Sequence, residues 1–246
     1  MDIPKELASP GREERSRSLL DLIELRTLDI DLAAWLVSQV SRGASYVTGA
    51  GPGGIGKTTM MRALLGFSPG RLPYHVALPG KVSASAKAPR CVISHELSSH
   101  PPSSYLWGQD LRDFFALSKR GNMLVGNMHT DDLEETRSQI CEENNIPKKS
   151  FRALNILAFI RIEGVALGGG RIKDSTSRRY LNEVYYSDGT ADHESVYTHD
   201  RGLSARATGN VEHEMQCYAF LEEALDRPER AIGEVRRQFL EWEKKM

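Results

Sequence analysis

The sequence has few cysteines, no long apolar run and no excess of charge of either sign, and each lack removes a class of function. Cys91, Cys141 and Cys217 are its three cysteines in 246 residues. They are far apart and offer no metal-ligand spacing, and their odd, sparse count fits a reducing compartment. No apolar stretch approaches the ~20 residues needed to span a bilayer. The opening Met1-Asp2-Ile3-Pro4-Lys5-Glu6 lacks the apolar centre of a signal peptide. A cytoplasmic location is expected, with room for peripheral attachment at the inner face of the membrane. The formal net charge is -1, so no global field draws the chain to nucleic acid, and no such partner is expected.

What is present is ordinary for a globular protein: 40% hydrophobic and 26% charged residues. Residues 1–17 are polar, with Pro4, Pro10 and Gly11, and read as a flexible lead-in. Apolar residues at helical spacing from Ser18 to Val40 predict two short helices. Ser45-Tyr46-Val47-Thr48 reads as a buried strand, followed by the loop Gly49–Gly56 and a helix over Lys57–Gly66. Further strands are predicted at His75–Leu78, Cys91–Ser94, Tyr105–Trp107, Met123–Met128, Leu154–Ile162 and Tyr180–Tyr186. Helices are expected through Asp110–Lys119 and Asp132–Glu143, and a glycine-rich hairpin around Gly168-Gly169-Gly170. In the helical tail, residues 211–246, Ile232, Val235, Phe239 and Trp242 recur at three- and four-residue steps and form one apolar stripe. Strands alternating with helices predict an α/β fold.

The most specific signal is Gly51-Pro52-Gly53-Gly54-Ile55-Gly56-Lys57-Thr58, which satisfies G-x-x-x-x-G-K-[ST] at every required position, between a predicted strand and a predicted helix. The chemistry needs these residue types. Glycines let successive backbone N–H groups curl around a β-phosphate, and the helix that follows presents its positive end to the same charge. Lys57 would reach the β- and γ-phosphates, Thr58 would ligate Mg²⁺ through its hydroxyl, and Thr59 would lie near the α-phosphate. ATP and Mg²⁺ are the expected ligands. The loop also looks like that of partitioning-type ATPases and signalling NTPases. Pro52, however, stands where the partitioning loop has a second lysine, and no apolar strand ends in the two aspartates of the signalling family.

The surrounding segments resemble the type II/type IV secretion ATPases, which power pili, archaella and secretion or conjugation machines. Leu19–Leu28 is similar to the segment before that family's first strand. Gly51–Thr59 matches its phosphate loop, and Gly121-Asn122-Met123-Leu124-Val125-Gly126-Asn127-Met128-His129-Thr130 resembles its histidine box. Val92-Ile93-Ser94-His95-Glu96-Leu97 resembles its acidic box, and Arg178–Val184 its late basic strand. The resemblance implies a RecA-like P-loop core over residues 18–210 with N-terminal helices, and a C-terminal helical subdomain over 211–246. It implies ATP hydrolysis driving protein or pilin transport, assembly as a hexameric ring, and contact with a membrane platform protein. The implied catalytic set is Lys57, Glu96, Gln109 and His129.

The sequence also departs from the family. In Tyr105-Leu106-Trp107-Gly108-Gln109, Gln109 stands where the family has Glu, and a neutral amide orients water but cannot take a proton. Asp110, one residue on, is the possible substitute. Ser98–Ser104, where the family keeps arginines that reach nucleotide across a subunit boundary, contains no arginine; Arg90 and Arg112 are the nearest. The chain is expected to be a short, divergent member without the family's large N-terminal domain. A degenerate ATP-binding scaffold or regulator with little hydrolysis is therefore an alternative, and a partitioning or signalling NTPase a second one.

Overall fold

The structure, a computed structural model, describes residues 16–82, 88–100, 104–164, 171–173, 176–207 and 209–246. Most of the predicted lead-in and the expected Gly168-Gly169-Gly170 hairpin lie outside the described residues. The elements are α1 (Leu19–Glu24), α2 (Ile30–Ser41), β1 (Tyr46–Gly49), α3 (Lys57–Leu65), β2 (Tyr74–Val76), β3 (Cys91–Ile93) and α4 (Gly108–Ala116). Then come β4 (Met123–Met128), α5 (Leu133–Arg137), α6 (Lys148–Phe151), β5 (Ile156–Ile162), β6 (Arg179–Tyr186), β7 (Glu194–Thr198), β8 (Gly202–Leu203), α7 (Val211–Leu225) and α8 (Ile232–Glu243).

The strands form one sheet in the order β2-β3-β4-β1-β5-β6-β7-β8. The first five are parallel, and β6 to β8 extend the sheet antiparallel. This is the expected α/β class, with the loop-bearing strand β1 between β4 and β5. Ligands of such sheets bind beyond the carboxyl ends of the parallel strands, which is where β1, β3 and β4 deliver their following loops.

Alternation along the strands decides which face each side chain serves. Tyr46, Cys91, Ile93, Met123, Val125, Ile156 and Ala158 pack into one cluster with α1, α2, α3, α7 and α8. Val47, Val92, Leu124, Leu157 and Phe159 pack into a second with Leu111, Phe114 and Phe115 of α4, Ile140 and Phe151. The helical tail contributes Cys217, Phe220, Leu221, Val235 and Phe239 to the first cluster, beside Leu32, Leu36 and Leu64. Within it the Phe239 ring lies 5.0 Å from Phe67, 5.2 Å from Phe220 and 5.4 Å from Trp242 between centroids.

Two readings of the sequence are corrected. Tyr105–Trp107 is not a strand; only Leu106 bridges to Leu97, and the chain turns at once into α4. An apolar triplet of this kind is buried by one side chain, Leu106, and needs no ladder to satisfy it. The helix expected over Asp132–Glu143 is α only to Arg137, and Ser138–Glu143 continues it as a π-helix. Strands β7 and β8 escaped the sequence reading because their alternation is weak and short.

Candidate functional site

Three loops converge at the carboxyl edge of the sheet. The first follows β1. Gly54 and Gly56 take positive φ, +82° and +119°, and the turn they make lets α3 start at Lys57. Among the described residues, no acceptor meets the N–H groups of Gly53, Gly54, Ile55 or Gly56. A β-carbon on Gly56 would meet nothing within 4 Å. The loop is thus an open cradle of free donors at a helix N-terminus, the arrangement a phosphate needs.

The second loop follows β3. Its backbone is pinned: Leu97 N–H donates to Asn127 O (2.8 Å), while Leu106 N–H and Ser94 Oγ donate to Glu96 O (3.0 and 3.1 Å). This directs the buried Glu96 side chain at the phosphate loop, where its Oε1 lies 3.6 Å from Lys57 Nζ. The third loop follows β4 and carries His129, whose Nε2 lies 3.3 Å from the same Glu96 oxygen. His129 Nδ1 lies 3.1 Å from Lys57 Nζ and 2.8 Å from Gly51 O. Lys57 Nζ also donates to Ala50 O at 3.1 Å. Burial pushes the Lys57 ammonium below its ordinary pKa, and the charge of Glu96 only partly opposes that.

Of the residues expected from sequence, Lys57, Glu96 and His129 stand together. Thr58 opens α3 and accepts a long hydrogen bond from Asn127 Nδ2 (3.5 Å). Gln109 stands apart from this trio. It is exposed on the first turn of α4, where Nε2 donates to Asp113 Oδ1 (2.8 Å) and Oε1 accepts from Arg112 (3.1 Å). Asp110 accepts from Gly80 N–H at 2.8 Å.

Among solved structures, the chain is similar to the VirB11 ATPase from the Brucella suis type IV secretion system, in complex with sulphate. The identity is 18%, the TM-score 0.45, and the match covers 74% of this chain. It spans 57% of that protein's length. No protein-family model matches the sequence, and no curated protein does.

The structure adds residues that sequence reading missed. Asn127 pairs in register with Thr48 across β1 and β4. Its Oδ1 accepts from Thr48 Oγ1, and its Nδ2 donates to His95 O at 2.8 Å. One amide thus ties β1, the β3 loop and Thr58 together. The strand period offered a clue, since Asn127 and His129 are two residues apart. Asp131 accepts from Gly51 N–H at 2.9 Å, and its own N–H donates to Glu135 at 2.8 Å. Nothing in the sequence pattern pairs Gly51 with Asp131, because the contact exists only once β1 and β4 are neighbours.

The residues present fit a nucleotide with Mg²⁺. Glu96 Oε1 is buried, meets Lys57 and His129 as charge partners and makes no hydrogen bond among the described residues, so it can still accept one from a water on a hydrated cation. Among the described residues, no cluster of His, Cys, Asp and Glu could hold a metal by itself. No helix among the described residues is long and apolar enough to cross a membrane.

Proposed function

We propose that the chain binds ATP·Mg²⁺ through Gly51–Thr59 and hydrolyses it. The observation that carries this reading is the convergence of Lys57, Glu96 and His129, from three separate loops, on the open phosphate cradle. Mg²⁺ would be held by Thr58 and the phosphates, with Glu96 reaching it through water, and would neutralise charge on the phosphate oxygens. The cradle N–H groups and Lys57 hold the terminal phosphates. Glu96 orients a water and accepts its proton. His129 bridges Lys57 and Glu96 and responds to the terminal phosphate through both.

The sequence motifs favour an ATPase of the type II/type IV secretion and pilus family, working as a ring, suspected hexameric, against a membrane platform protein. A second reading is a nucleotide-binding scaffold with little hydrolysis. The engagement of Gln109 with Arg112 and Asp113 favours it, since the carboxylate expected at that position is missing and the amide is occupied.

Steady-state ATP turnover on the purified chain, with Lys57→Ala as control, tests the proposal. Turnover lost in Lys57→Ala supports the ATPase. Binding lost in Lys57→Ala without any parental turnover supports the scaffold, and a rise in Gln109→Glu would then show the remaining machinery to be intact. ATP binding that survives Lys57→Ala overturns both.

A further inference from the structure

Residues 171–173, between β5 and β6, lie against the loop that follows β1. Ile172 N–H donates to Gly53 O at 2.8 Å. Ile172 O sits so close to Gly54 that a β-carbon there would lie 2.5 Å from it. Arg171, one residue before, lays its stem on Gly53: its Cγ is 3.6 Å from where a β-carbon of Gly53 would stand. The Arg171 side chain is exposed and its guanidinium makes no hydrogen bond or ion pair among the described residues. Arg171 is thus held against the cradle by its neighbour Ile172, which is hydrogen-bonded to Gly53 and packed on Gly54, and its own charge is uncommitted among the described residues.

Of the other arginines, Arg90 precedes β3 and so lies at the amino edge of the sheet, away from the cradle, and two more are already engaged. Arg112 is held by Gln109 and by Asn144 O. Arg178 is held by His199 and lies over the Tyr180 ring. Resting on the ATP reading above, we propose that Arg171 supplies, from the same chain, the guanidinium that contacts the terminal phosphates of the bound nucleotide. A planar, permanently charged fork suits two phosphate oxygens at once. Supplied in cis, it takes the role that an arginine contributed across a subunit boundary would otherwise fill. Its placement rests on pairing between the phosphate loop and the β5–β6 connection, so it needs no neighbouring subunit.

The test compares Arg171→Ala, Arg171→Lys and the exposed control Arg206→Ala, with folding checked by circular dichroism. Two readouts are taken: the affinities for Mg·ATP and Mg·ADP by equilibrium titration, and steady-state turnover. In the parent, ATP should bind more tightly than ADP. Arg171→Ala should erase most of that preference, by about tenfold, while ADP affinity changes little. Turnover should fall about a hundredfold or more, with Arg171→Lys recovering only a small part. If Arg171→Ala matches the parent in both readouts while Lys57→Ala has lost nucleotide, the Arg171 role is overturned and the ATP reading stands. If Lys57→Ala retains ATP affinity, the ATP reading itself fails and takes this inference with it. A parent that binds without turnover leaves the ATP-over-ADP preference to decide.

Discussion

His129 Nδ1 lies 2.8 Å from Gly51 O and 3.1 Å from Lys57 Nζ. With Lys57 as an ammonium, the first contact needs a proton on Nδ1 and the second needs its lone pair, so one tautomer satisfies only one of them. The ring, Lys57 and Glu96 therefore rest in a compromise that a phosphate would resolve, by drawing the ammonium away. On this basis His129→Gln should lower ATP turnover about ten- to a hundredfold with a much smaller change in ADP affinity. A matching loss in both would reduce His129 to a structural support.

The buried ion pair sets a stability prediction. Removing Glu96 leaves the Lys57 ammonium desolvated, so Glu96→Ala should cost about 3 kcal/mol. The double variant Lys57→Met/Glu96→Ala should recover most of it, with Lys57→Met as the remaining single variant. Urea denaturation of the four proteins of this cycle reads the coupling directly.

The same lysine gives a pH dependence. Its folded-state pKa lies below the ordinary 10.5 because burial penalises the charge. Between that lowered value and 10.5 the unfolded chain holds more protons than the folded one, so this group's contribution to stability rises with pH. Below the window the penalty is constant. Lys57→Met should flatten the alkaline slope of unfolding free energy against pH; an unchanged slope would show that Lys57 stays charged in the fold.

Arg236 of α8 is buried and donates through one nitrogen to the carbonyls of Gly66 and Ser68, at 3.1 and 2.7 Å, beyond the end of α3. Its guanidinium also lies 5.2 Å from the Tyr74 ring centroid. A cation here complements the negative end of the very helix whose other end faces the phosphate cradle. Arg236→Leu should destabilise by about 2–4 kcal/mol, read by thermal and urea unfolding. Arg236→Lys should restore less than half, since a compact, strongly hydrated ammonium costs more to bury and loses the stacking of the guanidinium on Tyr74.

Gly54→Ala should be the most damaging single methyl in the loop. It meets Ile172 O and sits at φ +82°, so both space and backbone oppose it. ATP affinity should drop by more than tenfold, accompanied by a loss of about 1–2 kcal/mol in stability. Equilibrium nucleotide titration beside urea unfolding separates the two effects.

The loop over Gly51–Thr58 and the helix start after it were legible without coordinates because their signals are local. Gly51–Thr58 are contiguous, and the glycines, the lysine and the helix start enforce one another within a few residues. The α/β class was legible because short, mostly apolar runs such as Met123–Met128 and Ile156–Ile162 alternate along the chain with helical patterns. The strand at Tyr105–Trp107 failed because one buried leucine imitates such a run. What tertiary structure alone decided was which distant residues share the loop: Asn127 beside Thr48, Asp131 on Gly51, and Arg171 with Ile172 across Gly53 and Gly54. These contacts depend on β1 lying between β4 and β5 and on the path of the chain after β5. Pairing of strands far apart in sequence is set by the packing of the whole sheet, and no short-range pattern of residues encodes it.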